Sequence, residues 1–274
     1  MGFLKKMLDF YINSSIHVSL SVCALVLITC LEFNISPNFT LLAFMFLATV
    51  SGYNFVKYAA IAGLHHRSLT NSLKSIQIFS FICFAALFFF VSQLSVKMIF
   101  TIALFGLLTL FYAVPVFKNK NLRNLSGLKI FIVALVWAGV TVIIPLVYAG
   151  AEFEEKFAVT FIQRFLFVVV LILPFEIRDM NFDSTSLGTL PQKIGIFKTK
   201  ITGAILLLIA ILIEIFKAEI EWPYILSFIV IGGISILFLK KSNGLQKRFF
   251  TTLWVEALPI FWLGIYLLIR HFFL

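Results

Sequence analysis

Between Glu32 and Glu152 this chain carries no aspartate or glutamate. That stretch therefore has no carboxylate with which to bind a metal ion. Charge is scarce elsewhere too: only 12% of the 274 residues are charged, against 61% hydrophobic ones. A soluble domain of this length does not have that composition, and repeated long apolar runs mean membrane-spanning helices instead. Long polar linkers are also missing, so no separate soluble domain fits between the runs. No small-residue cleavage site follows Lys5 and Lys6, so the first run is not a cleavable signal peptide. The cysteines, Cys23, Cys30 and Cys83, lie inside apolar runs without metal-ligand spacing. They read as buried thiols rather than as a disulfide framework or a metal site.

What is present is a series of apolar runs, each near the roughly 20 residues that a helix needs to cross the hydrocarbon. They fall at 14–31, 38–58, 75–92, 97–117, 127–149, 157–177, 199–216, 222–239 and 250–272. The pattern predicts an all-α, polytopic membrane protein with nine transmembrane helices, folded as one membrane domain over residues 1–274. The net charge of +10 is not a nucleic-acid footprint, because of where it lies. With the N-terminus placed in the cytoplasm, 17 of the 22 Lys and Arg fall on the inner side. That asymmetry follows the positive-inside rule for an odd number of spans. The expected setting is the cell (inner) membrane, with the N-terminus cytoplasmic and the C-terminus outside. The inner loops are also the longer and more polar ones, which directs the search for function to the cytoplasmic side.

One stretch is chemically loaded. Glu176, Asp179 and Asp183 follow directly on the apolar stretch Phe157 to Phe175, three and then four residues apart. On a continuing helix that spacing puts the carboxylates on one face, where like charges repel. A hard divalent cation such as Mg2+ reverses that cost and keeps substrate phosphate as a further ligand. The spacing points to a metal-dependent site at the mouth of a membrane cavity.

The motif Pro174-Phe-Glu176-Ile-Arg178-Asp179, with Asp183, Gly188-Thr-Leu-Pro191 and Gly195, resembles the second aspartate-rich motif of UbiA-type intramembrane prenyltransferases. It follows the sixth of nine predicted helices, as in that family. Tyr112-x-x-Pro115-x-x-Lys118, followed by Leu122, Leu125, Ala134-x-x-Trp137 and Pro145, is similar to the family's segment joining helices 4 and 5. The resemblance implies a bundle around a cytoplasm-facing cavity. It implies transfer of a prenyl group from a prenyl diphosphate to a lipophilic acceptor, such as an aromatic, quinone or carotenoid precursor. Mg2+ is implied on Asp179 and Asp183, a single ion sufficing where basic residues hold the diphosphate directly, with diphosphate held by Arg178, Lys118, Asn54 and Lys57.

The sequence departs from the family at the end of the second run. Asn54 matches the first motif, but Phe55, Tyr58 and Ala62 stand where its acids are expected. Three readings stay open for that end. The cations Lys57, His65, His66, Arg67 and Lys74 hold diphosphate oxygens directly; or the chain is a non-catalytic member that binds isoprenoid or a protein partner; or the cations only mark the cytoplasmic face. A small transporter is a further alternative, although matched broken helices with midplane ionisable groups are not evident. Glu256, about two turns into the last run, is expected to face the cavity or another helix. Glu214 is expected to reach the outer interface.

Overall fold

Inside a bilayer no water is at hand for backbone N–H and C=O groups, so each apolar run must satisfy its own as a helix. The computed structural model describes residues 2–62, 71–114, 122–125, 127–183, 187–247 and 249–273. These residues form helices and no strand. The helices are α1 (Phe3–Asn13), α2 (Ile16–Glu32), α3 (Phe39–Ala62), α4 (Asn71–Val91) and α5 (Val96–Ala113). Then come α6 (Lys129–Tyr148), α7 (Glu155–Asp179), α8 (Leu190–Phe216), α9 (Trp222–Lys241) and α10 (Phe250–Phe273). Among the described residues eight helices are long and apolar enough to cross a membrane by themselves, and α1 with α2 makes a ninth span when that bent pair is counted as one. The first predicted span, 14–31, thus corresponds to α2 alone, preceded by a helix at 53° to it.

Helix α7 is the hub, packing against α6, α8 and α9. Its Phe167, Val168, Val170 and Leu173 are buried with Ile130 of α6, Leu207 of α8 and Phe228 of α9. Aromatic rings fill one half of the bundle: Trp262 lies 5.0 Å from both Phe167 and Phe228, and 5.7 Å from Tyr224. At these separations edge-on and offset rings add to the area they bury.

Two helices depart from α geometry beside proline. In α6 a π-turn over Gly139–Ile143 precedes Pro145. A proline cannot donate to the carbonyl four residues back. That carbonyl, of Thr141, instead accepts the Thr29 hydroxyl at 2.8 Å. In α10 a π-turn over Phe250–Val255 precedes Pro259. There the carbonyl of Leu253 lies 2.8 Å from His17 Nε2, and the Ser21 hydroxyl donates to the carbonyl of Glu256. A carbonyl only accepts, so His17 Nε2 carries the proton and Nδ1 accepts from the Tyr11 hydroxyl at 2.8 Å. Helix α8 bends at Gly195, whose φ of 80° favours glycine.

The end of the bundle away from Asp179 is closed by buried polar groups. Lys217 Nζ bridges Glu32 Oε1 at 2.7 Å and Glu214 Oε2 at 2.9 Å. Gln163 donates to the same Glu214 oxygen at 2.8 Å, and Thr160 to Glu32 at 2.6 Å. Glu214 is therefore 3% exposed and does not reach the interface as expected, because its partner Lys217 is folded inward with it. Nearby Arg164, fully buried, donates to the carbonyl of Leu25 at 3.0 Å and lies 5.1 Å above the Trp262 ring.

Candidate functional site

The α7 helix ends at Asp179, one turn short of Asp183. The Asp183 N–H still bonds to the Asp179 carbonyl at 2.8 Å, so a last helical turn carries the spacing through. Glu176 and Asp183 are seven residues apart, two turns of helix, and thus face the same neighbour. That neighbour is Lys129, the first residue of α6. Its Nζ lies 3.0 Å from Glu176 Oε1 and 3.0 Å from Asp183 Oδ2. Asp179 points to a different cation: Arg178 Nε and Nη2 reach its two oxygens at 2.7 and 2.9 Å. The free arm of the guanidinium, Nη1, donates to Thr251 in the π-turn of α10 at 2.7 Å. The three carboxylates are thus bound by ammonium and guanidinium groups of the same chain.

The start of α8 is fastened back to the motif. Gln192 Nε2 donates to the Asp183 carbonyl at 3.1 Å, while its Oε1 accepts from the Thr189 N–H at 2.9 Å, at the start of α8. Pro191 follows at the start of the helix, where its missing N–H costs nothing. The Gly127 N–H bonds to the Leu187 carbonyl at 3.0 Å. Gly127 has φ 77°, and a side chain on it would press on Lys193 Nζ at 3.1 Å. A small crevice lined by Gly127, Lys129, Ile130, Glu176, Leu187, Thr189 and Leu190 opens beside the bridging lysine. Tyr112 and Arg123 border the same cluster of charges.

Asn54 and Lys57 stand at the same end of the bundle, on α3. The Asn54 amide is engaged on every side: Oδ1 accepts from Ser15 at 2.7 Å, and Nδ2 donates to the Ser14 carbonyl at 2.9 Å and to Ser80 at 2.7 Å. It holds the break between α1 and α2, where Ser15 takes a left-handed φ of 64°. Lys57 Nζ donates to the Ser15 hydroxyl at 3.0 Å and lies 5.6 Å from the centre of the Tyr53 ring. The Tyr53 ring meets Trp137 edge-on at 6.3 Å. Across from them the Glu256 carboxylate lies within electrostatic range of both Lys57 and Arg178. Lys118, His65, His66 and Arg67 lie outside the described residues. Lys129 was not singled out by sequence, where it counts only among the inner cations. Its one signal is a position opening an otherwise apolar span, two residues after Gly127.

Mg2+ needs oxygen ligands at about 2.0–2.1 Å in near-octahedral array. Among the described residues no group of three or more His, Cys, Asp or Glu is arranged to hold a metal ion. Lys129 fills the position between Glu176 and Asp183, and Arg178 covers both oxygens of Asp179. In this arrangement the carboxylates do not fit a divalent cation.

No protein-family model matches the chain, and no curated protein matches it by sequence. The fold does have a counterpart among solved structures, that of a membrane digeranylgeranylglyceryl phosphate synthase. It aligns over 97% of both chains with a TM-score of 0.55 and 17% sequence identity. The likeness establishes an all-helical membrane fold running through nearly the whole chain.

Proposed function

We propose that this protein binds a prenyl diphosphate at the Asp179 end of the bundle and transfers its prenyl group to a lipophilic acceptor. The observation that carries this reading is the set of cations oriented by carboxylates at one end of the bundle: Lys129 held by Glu176 and Asp183, and Arg178 held by Asp179. The fold shared with a digeranylgeranylglyceryl phosphate synthase supports it. In the reaction, the bond from the prenyl C1 to oxygen breaks and its electron pair leaves on diphosphate. The acceptor supplies the pair for the new bond to C1 and sheds a proton, which the released diphosphate takes up. Cations set beside the leaving oxygens favour the charge that develops there. Tyr53 and Trp137, in edge-on contact near Lys57, add aromatic surface that helps to exclude water.

Calorimetry of the detergent-purified protein with farnesyl and geranylgeranyl diphosphates tests the reading. Binding is expected, and absence of binding at every chain length sinks it. Asp183→Ala and Asp179→Ala release Lys129 and Arg178 from their positions. Each change removes bonds to a charged group worth about 1.5–3 kcal/mol, so affinity should fall roughly tenfold or more.

A second reading, a non-catalytic isoprenoid binder, is favoured by the acid-free end of α3 and by the engagement of the Asn54 amide with the α1–α2 break. Release of inorganic diphosphate from bound prenyl diphosphate, followed in native membranes that contain the acceptors, separates the two.

A further inference from the structure

We infer that Lys129 takes the place of a metal ion in this site, so that the protein engages diphosphate without a divalent cation. The ligand rests on the function proposed above; the independence from metal does not. A bridging cation between two carboxylates must sit within bonding distance of an oxygen from each. Lys129 Nζ does so, at 3.0 Å from Glu176 Oε1 and 3.0 Å from Asp183 Oδ2. The pair is sheltered, with Glu176 2% exposed and Asp183 17% exposed in their side chains. Mg2+ entering there would stand within a few ångströms of the ammonium and would have to expel it, and a tethered cation is always at hand to return. Arg178 blocks the remaining carboxylate in the same way, through both oxygens of Asp179.

The donor count completes the case. An ammonium has three N–H groups and no acceptor. Two of those on Lys129 meet Glu176 and Asp183, which leaves one for a phosphoryl oxygen. Arg178 spends one N–H from each of its nitrogens on Asp179 and Thr251 and keeps two more. The carboxylates act as holders of cations. The sequence agrees, because 33–151 contains no acid that would complete a second metal-binding set.

The test measures metal binding directly. The paramagnetic signal of free Mn2+ is recorded with the full-length protein in detergent, for wild type and Lys129→Ala. Wild type should leave Mn2+ free, whereas Lys129→Ala, with Glu176 and Asp183 vacated, should bind it in competition with Mg2+. In parallel, wild-type affinity for farnesyl diphosphate should change less than twofold on adding a chelator. That of Lys129→Ala should fall at least tenfold with chelator and recover with Mg2+. Wild type that binds Mn2+ in competition with Mg2+, or that loses farnesyl diphosphate on chelation, overturns the inference. So does a folded Lys129→Ala that binds no Mn2+. If that variant misfolds by circular dichroism, Lys129→Gln replaces it, and the two wild-type measurements decide alone if both misfold. Failure of wild type to bind any prenyl diphosphate overturns the proposed ligand only, since the Mn2+ measurement still decides the metal.

Discussion

Two lysines in this protein each hold two carboxylates, one at either end of the bundle. Lys129 bridges Glu176 and Asp183 and stays partly open, at 18% side-chain exposure; Lys217 bridges Glu32 and Glu214 at 4%. The closed bridge has no room for a ligand, so its role is structural. Removing one member of a buried ionic group leaves the others uncompensated, at a cost of about 3–5 kcal/mol. Lys217→Met should therefore lower the thermal unfolding temperature in detergent, while prenyl diphosphate affinity of the folded fraction stays the same. An unchanged unfolding temperature contradicts the bridge. Neither bridge was legible in the chain as such. Glu214 and Lys217 are three apart, which hints at a pair, but burial depends on Glu32 arriving from 185 positions away. Lys129 meets Asp183 across 54 positions, and only the packing of α6 on α7 brings them together.

At the scale of the helix, proline and serine set the departures from regularity. The spans themselves were readable, because an apolar run near 20 residues leaves a chain in a bilayer few options but helix. The break between α1 and α2 was not, since Ser14 and Ser15 look like any polar pair at the edge of a run. It exists because Asn54, Lys57 and Tyr58 of α3 supply bonds to its exposed backbone and hydroxyls. Asn54→Ala leaves the Ser14 carbonyl and the Ser15 and Ser80 hydroxyls short of partners, each worth about 1–3 kcal/mol when buried. The variant should unfold at a lower temperature by an amount equivalent to about 2–3 kcal/mol. Were Asn54 a ligand for diphosphate instead, affinity would fall while the unfolding temperature held. The span predicted at 199–216 begins earlier, at Leu190, so that the motif from Gly188 to Pro191 opens α8 and is fastened back to Asp183 by Gln192.

For the molecule as a whole, the charge asymmetry predicts that the Asp179 end faces the cytoplasm. In a background where Cys23, Cys30 and Cys83 are replaced, Glu152→Cys should react with a membrane-impermeant maleimide on intact cells. Lys247→Cys should react only after lysis, and the reverse pattern inverts the orientation. The closed end has a consequence for traffic. There Glu32, Glu214 and Lys217 lock together beneath packed Tyr224, Trp262 and Phe167 rings, with Arg164 set among them. A headgroup arriving at Lys129 meets a dead end. In the reaction proposed above, released diphosphate leaves by the side it entered, and the prenylated product passes sideways between helices into the lipid.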